Sequence, residues 1–283
     1  MIKAYYMLTK PGILMGNIIT TAGGFALASQ GNFNIVLFLL TMVGLCLIIG
    51  SACVFNNYTD RSYDAKMDRT KNRALVKGII SVKSALFFAV ILAFFGFSTL
   101  YLYTNLLTAS IALTGFFFYV VMYSFWKYRS TYGTLIGSIA GALPPVIGYC
   151  AVSNQFDMAA FLLFTIMVFW QMPHFYAIAM FRLKDYTAAS IPVLPVKKGM
   201  HVTKVHMLFY TIGFIIVSLL PIVYGYTGYA YLAVISLVGL AWLYLCIKGF
   251  KAENDTQWAR GMFRFSLVVI MAFSLMLGVS SYL

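Results

Sequence analysis

Apolar residues run along this chain in stretches longer than any soluble helix or strand requires, and charges fall between the stretches. No Asp, Glu, Lys or Arg interrupts residues 11–59, 84–126, 130–156, 158–181, 205–247 or 265–283. A bilayer core of about 30 Å is crossed by about 20 helical residues rising about 1.5 Å each. The first, second and fifth stretches are long enough for two such helices. Each is broken near its middle, by Ser29-Gln30-Gly31-Asn32, Tyr103-Thr104-Asn105 and Gly225-Tyr226-Thr227-Gly228 respectively. The others hold one helix apiece, the last beginning slightly before Arg264. The pattern predicts an all-α polytopic membrane bundle of nine transmembrane helices, forming a single domain over residues 1–283. Because the runs are continuous, without period-two alternation, they argue against a β-barrel.

Lys and Arg then orient the bundle. A cytoplasmic N-terminus places residues 1–11, 57–83, 125–132, 181–205 and 248–261 on the inner face. With Arg264 in the first turn of the ninth helix, these carry all 20 basic residues. The opposite loops hold no Lys or Arg and one acid, Asp157. A cytoplasmic N-terminus and an outside C-terminus are therefore expected. With 62% hydrophobic and only 10% charged residues, the chain cannot make a water-soluble surface. The net charge of +13 reads as a topology signal and an attraction to anionic membrane lipid. Nucleic acid is not expected as a partner, since the basic residues are scattered over separate loops. Lys3, Lys10, the apolar run and Ala26-Leu27-Ala28 imitate a secretory signal with a cleavage site; an uncleaved first helix is the expectation. No Arg- and Ser-rich transit segment is visible, which points to a bacterial inner (plasma) membrane. Cys46, Cys53, Cys150 and Cys246 sit in apolar helices without a C-x-x-C and are expected to be small buried hydrophobes.

The acids are few and unevenly placed. Of seven, Asp60, Asp64 and Asp68 fall within nine positions, and with Asn56 they are spaced by four. On a helix that spacing makes one stripe, continuing the inner end of the second span into its cytoplasmic mouth. Like charges at i,i+4 repel, so the stripe needs countercharge. Arg61, Lys66 and Arg69 could supply it as a surface salt-bridge network. A divalent cation is the other reading: Mg²⁺ takes one or two carboxylates together with phosphate oxygens and waters, and the Asn56 amide adds an oxygen. Arg69, Lys71, Arg73 and Lys77 follow closely and are candidates to hold phosphate oxygens. Carboxylates, metal and cations at a membrane mouth suggest a lipid diphosphate. Neutralising its leaving group lets an allylic C–O bond break. The resulting carbocation needs a dry chamber, in which Phe and Tyr faces stabilise it.

At this point the sequence resembles the UbiA-type intramembrane prenyltransferases, and within them the heme O synthase branch. The resembling segments are Thr9-Lys10-Pro11-Gly12, residues 56–78 with Asn56-x-x-x-Asp60-x-x-x-Asp64, residues 132–150, and residues 170–195. The resemblance implies transfer of farnesyl from farnesyl diphosphate to a vinyl group of heme B, with addition of water, giving heme O for terminal oxidases. It implies that Asn56, Asp60 and Asp64 hold Mg²⁺ and diphosphate with Asp68 nearby, and that Arg69, Lys71 and Arg73 grip phosphate. Handover of product to a terminal oxidase or a heme A synthase would follow. Many relatives carry a second aspartate-rich motif after the sixth span. Here the loop reads Arg182-Leu183-Lys184-Asp185-Tyr186. Asp185 is the single acid left for metal, Lys184 or Arg182 would bind diphosphate directly, and Tyr186 would donate a hydrogen bond. Plain anchoring by positive charge is the alternative for this loop.

His174 follows Pro173 inside the sixth span. An imidazole there is costly unless paired, and Pro173 frees a backbone carbonyl. The resemblance adds a substrate role: heme-iron ligand, partner of a propionate, or base for water. His201 and His206 are expected at the membrane interface. Pro144-Pro145 should kink the fifth span, and Gly137, Gly141 and Gly148 suit close helix packing. A transferase acting on a quinone precursor is the nearest rival. A cation-coupled transporter is less well matched, since its acids belong near the bilayer midplane.

Overall fold

A computed structural model describes residues 1–279 of the chain. A short surface helix, α1 (Ile2–Leu8), leads into α2 (Pro11–Ser29) and α3 (Ile35–Thr59). The turn α4 (Arg61–Asp64) follows, then α5 (Val82–Tyr103), α6 (Leu106–Trp126), α7 (Gly133–Ser153) and α8 (Met158–Phe181). The surface turn α9 (Leu183–Ala188) precedes α10 (Leu194–Val223), α11 (Tyr229–Lys248) and α12 (Asp255–Val279). Among the described residues nine helices are long and apolar enough to cross a membrane, namely α2, α3, α5, α6, α7, α8, α10, α11 and α12. These are the nine expected segments; the end of the ninth, beyond residue 279, lies outside the described residues.

Hydrogen-bonding side chains end the apolar runs. Asn34, Ser81, Asn105 and Asp157 each accept from a backbone N–H in the first turn of the following helix, satisfying donors that the helix cannot. The expected break in α7 occurs at Ala142, so that Pro144 and Pro145 fall in the first turn of its second half, where a missing N–H costs nothing. α6 widens to a π-helical turn over Phe118–Tyr123, a distortion common at functional sites. α10 is interrupted at Gly199, whose φ of 80° no side-chain-bearing residue adopts readily.

α12 closes the bundle against α2 and α8, while α3 packs on α5 and α2 on the second half of α7. That last crossing is the tightest. A Cβ at Gly24 would stand 2.0 Å from the Pro145 carbonyl oxygen, and one at Gly148 would stand 2.2 Å from that of Thr21. Both clashes are with backbone, which cannot rotate away. Gly148→Ala is therefore expected to cost about 1–3 kcal/mol, read as earlier heat-induced aggregation in detergent. A variant as heat-resistant as its parent would contradict this packing. The first span is thus built into the core.

Candidate functional site

A cavity of about 1390 Å³ enters the bundle at the end where α3 meets α4. α2, α3, α6, α7, α8 and α12 contribute to its wall, and α1 with residues 64–74 surrounds its mouth. Its wall also carries Phe116, Tyr119, Met167, Trp170, Phe175 and Phe263.

The acidic stripe lies at the mouth but is shorter than the spacing suggests. α3 carries Asn56 at its last inward turn, Asp60 caps it, and Asp64 ends α4. Asp60 and Asp64 are 3% and 1% exposed. After Asp64 the helix stops, and the Thr70 hydroxyl donates to the Asp64 carbonyl at 3.0 Å. The chain then turns away, leaving Asp68 exposed and paired with Lys71 at 2.6 Å. Asp68 and Lys71 do not reach the cavity, and neither does Lys77. This corrects the expectation of a four-member stripe. Asp68→Asn is accordingly expected to leave activity within about twofold, as solvent-exposed ion pairs contribute little; a loss near that of an Asp64 variant would contradict the placement.

Each side chain of the stripe meets at least one donor. Asn56 Oδ1 accepts from Lys10 Nζ at 2.5 Å, and Asn56 Nδ2 donates to Asp60 at 3.2 Å. Asp60 also accepts from Lys127 Nζ at 2.6 Å and from the Tyr128 hydroxyl. Arg73 Nη1 reaches Asp64 at 2.5 Å. Burial opposes the charge on Asp60, but Lys127 and Lys10 outweigh it and hold the carboxyl below its ordinary range. Burial likewise opposes the charge on Lys127, yet Tyr123 and Asp60 hold its ammonium well above the ordinary value. Burial pushes the Lys10 ammonium down to about 8. The pairing partners are thus Arg73, Lys127 and Lys10, not Arg61, Lys66 and Arg69.

Nothing in the sequence pattern marks Lys10 and Lys127 as site residues. Each is a cation at a span end, which the orientation rule already explains. Lys10 was visible only as part of the Thr9–Gly12 segment, and it stands in a left-handed backbone conformation at φ 53°. Asn57 adds another polar group: its Nδ2 donates to the Leu8 carbonyl at 2.8 Å, while its buried Oδ1 has no partner among the described residues.

The second loop diverges from expectation. Tyr186 lines the cavity, packing with Tyr63 and Tyr128 around Met67 and Ile191. Tyr63 and Tyr128 stack at 3.7 Å. Arg182, Lys184 and Asp185 do not line it. Arg182 and Lys184 are exposed, and Asp185, half-buried, lies 4.0 Å from Arg182. Among the described residues no cluster of three or more His, Cys, Asp or Glu forms. A resident ion would rely on Asn56, Asp60 and Asp64. Two buried carboxylates and an amide oxygen facing a cavity are hard donors and fit Mg²⁺ completed by phosphate oxygens and water.

His174 lies in the cavity wall, stacked on Trp170 with ring centroids 4.8 Å apart. Its partner is the Ser266 hydroxyl, 2.7 Å from Nδ1, and not a carbonyl freed by Pro173. Gly141 belongs here too: a Cβ there would lie 2.1 Å from Gln171 Oε1, so this glycine makes room for a cavity side chain. His201 and His206 are exposed and away from the cavity. The cysteines are free, all buried except the half-buried Cys46.

The model of the UbiA prenyltransferase family matches residues 17–268. A relative from Protochlamydia amoebophila (strain UWE25), named protoheme IX farnesyltransferase, is 54% identical over 97% of each chain. One of the same name from Sodalis glossinidius (strain morsitans) is 53% identical over 99% of this chain and 95% of its own. Among solved structures, a digeranylgeranylglyceryl phosphate synthase superposes with a TM-score of 0.82 at 20% identity, covering 99% of this chain and 98% of the other. A UbiA homolog from Archaeoglobus fulgidus bound to GPP and Mg²⁺ gives 0.74 at 15% identity, covering 98% and 99%.

Proposed function

Because the chain belongs to the UbiA prenyltransferase family, we propose that it transfers the farnesyl group of farnesyl diphosphate to a vinyl group of heme B, with addition of water, giving heme O. The observation that carries this reading is one cavity joining a mouth of paired acids and cations to an aromatic interior. The mouth suits a diphosphate, and the interior suits a farnesyl chain and a flat apolar acceptor. The names of relatives at 53–54% identity favour heme over a quinone precursor.

In this reading Asn56, Asp60 and Asp64 hold Mg²⁺, which when bound neutralises charge developing on the departing diphosphate. Arg73, Lys127 and Lys10 shift from the carboxylate and amide oxygens to phosphate oxygens as substrate enters, and Arg69 at the rim adds a further donor. Tyr119 and Tyr123 line the cavity beside Asn56 and Lys127 and offer π faces to the allylic cation. The vinyl group attacks that cation, and water quenches the cation formed beside the porphyrin. We place the whole chain in one domain of a bacterial inner membrane, with the N-terminus inside and the C-terminus outside on the Lys and Arg distribution. Product would pass to a terminal oxidase or a heme A synthase.

Cells that lack their own heme O should, on expressing this chain, accumulate a heme heavier than heme B by a farnesyl group plus water. Only heme B, with the protein present in the membrane, would reject the acceptor assignment.

A further inference from the structure

The protons around His174 can be placed from its neighbours. The Ser266 hydroxyl donates its one hydrogen to the Phe263 carbonyl at 2.6 Å. Toward His174 Nδ1 it can only accept, so Nδ1 carries a proton. The Ser266 backbone is pinned in turn, since Trp170 Nε1 donates to its carbonyl at 2.9 Å. No acid pairs with the ring among the described residues, and an unpaired buried charge is costly, so the imidazole is neutral. Its lone pair therefore sits on Nε2. That atom has no hydrogen-bond partner among the described residues, on a ring that lines the cavity.

Gln171 is arranged to the same effect. Its amide nitrogen donates to the carbonyls of Ser138 and Met167, both at 3.1 Å. Reversing the amide would set Oε1 against two carbonyl oxygens, so the network fixes its orientation. Oε1 then lies over Gly141 without a donor among the described residues. Gln171 and His174 are three residues apart on α8, and so share one face. Two acceptors on one face of a helix, both in the cavity wall, suit a small molecule with two O–H donors.

We infer that Gln171 Oε1 and His174 Nε2 hold the water that adds to the porphyrin-side carbocation, with Ser266 as the positioning residue that sets the histidine tautomer. This rests on the heme-farnesylating reading above. With both hydrogens engaged, the water presents its oxygen lone pair to the cation. A C–O bond forms to the carbon beside the porphyrin ring, one O–H bond breaks, and the proton passes to Nε2. Nδ1 keeps its hydrogen on Ser266, and no oxidant or reductant is needed. If the water is not held, the cation sheds a proton from the neighbouring carbon, giving an alkene lighter than heme O by one water.

The test is the product ratio, alkene to alcohol, measured by mass spectrometry for full-length protein given farnesyl diphosphate, heme B and Mg²⁺. Gln171→Leu and His174→Ala should each raise the ratio at least about tenfold, a conservative share of the roughly 100-fold or more that a positioned base contributes. Ser266→Ala should shift it the same way, and Ser266→Thr, which keeps the hydroxyl, should restore it. An unchanged ratio in active Gln171→Leu and His174→Ala variants would overturn the proposal. So would complete loss of farnesylated heme in variants that still bind farnesyl diphosphate, which would place these residues in an earlier step. Should those variants fail to bind it, the Ser266 pair decides: equal ratios in Ala and Thr overturn the assignment. Wild-type protein that makes no farnesylated heme would instead remove the underlying function.

Discussion

Asp64→Asn is expected to lower prenyl transfer by at least about 100-fold while leaving membrane insertion intact, comparable to losing one strong charge-stabilising contact. The substitution keeps size and one acceptor oxygen, but removes the charge and turns the other oxygen into an N–H donor. Asp64 is 1% exposed and paired with Arg73. If it holds a metal, the variant should also need at least about tenfold more Mg²⁺ for half its residual rate, since loss of even an outer partner of a metal ligand costs about 10–100-fold in affinity. If the pair is only structural, Arg73→Gln and Asp64→Asn should weaken heat resistance alike and leave the Mg²⁺ requirement unmoved. Activity retained in Asp64→Asn would support the salt-bridge reading.

Lys127→Met is expected to have the next largest effect. Lys127 is the ion partner of Asp60, with the two side chains 15% and 5% exposed. Removing one member of a buried pair destabilises a fold by about 3–5 kcal/mol, and losing one charge-stabilising contact to the departing diphosphate lowers turnover roughly 100-fold. A higher KM for farnesyl diphosphate together with a lower kcat is expected, because the same ammonium serves the resting carboxylate and the incoming phosphate. Lys127→Arg should recover part of both. Unchanged constants in Lys127→Met would mean that the residue only balances charge at rest.

Asp64 and Lys127 differ in how plainly the sequence marks them. The nine spans were legible because the bilayer imposes a length and a charge penalty that each segment must meet alone. Asn56, Asp60 and Asp64 were legible for a related reason: helical spacing carries them from a span end into its mouth. Asp68 was misplaced because nothing in a spacing of four says where the helix stops. The stop comes from a local contact, the Thr70 hydroxyl on the Asp64 carbonyl. Lys127 lies 67 residues from its partner, and a Lys at a span end already has a sufficient explanation in membrane orientation. Arg182, Lys184 and Asp185 show the reverse error. Their residue types suited phosphate and metal, but α9 directs them away from the cavity. Ser266 was illegible altogether, since a serine in an apolar helix carries no signal until the helix packs beside His174.

Full-length protein in detergent, given farnesyl diphosphate, heme B and Mg²⁺, offers the most direct measurement of whether this cavity joins those two substrates. The account predicts a heme heavier than heme B by one farnesyl group plus one water, formed by wild-type protein and abolished both by chelating Mg²⁺ and by Asp64→Asn. Unmodified heme B from wild-type protein that binds farnesyl diphosphate, or product formed undiminished by Asp64→Asn, would contradict it.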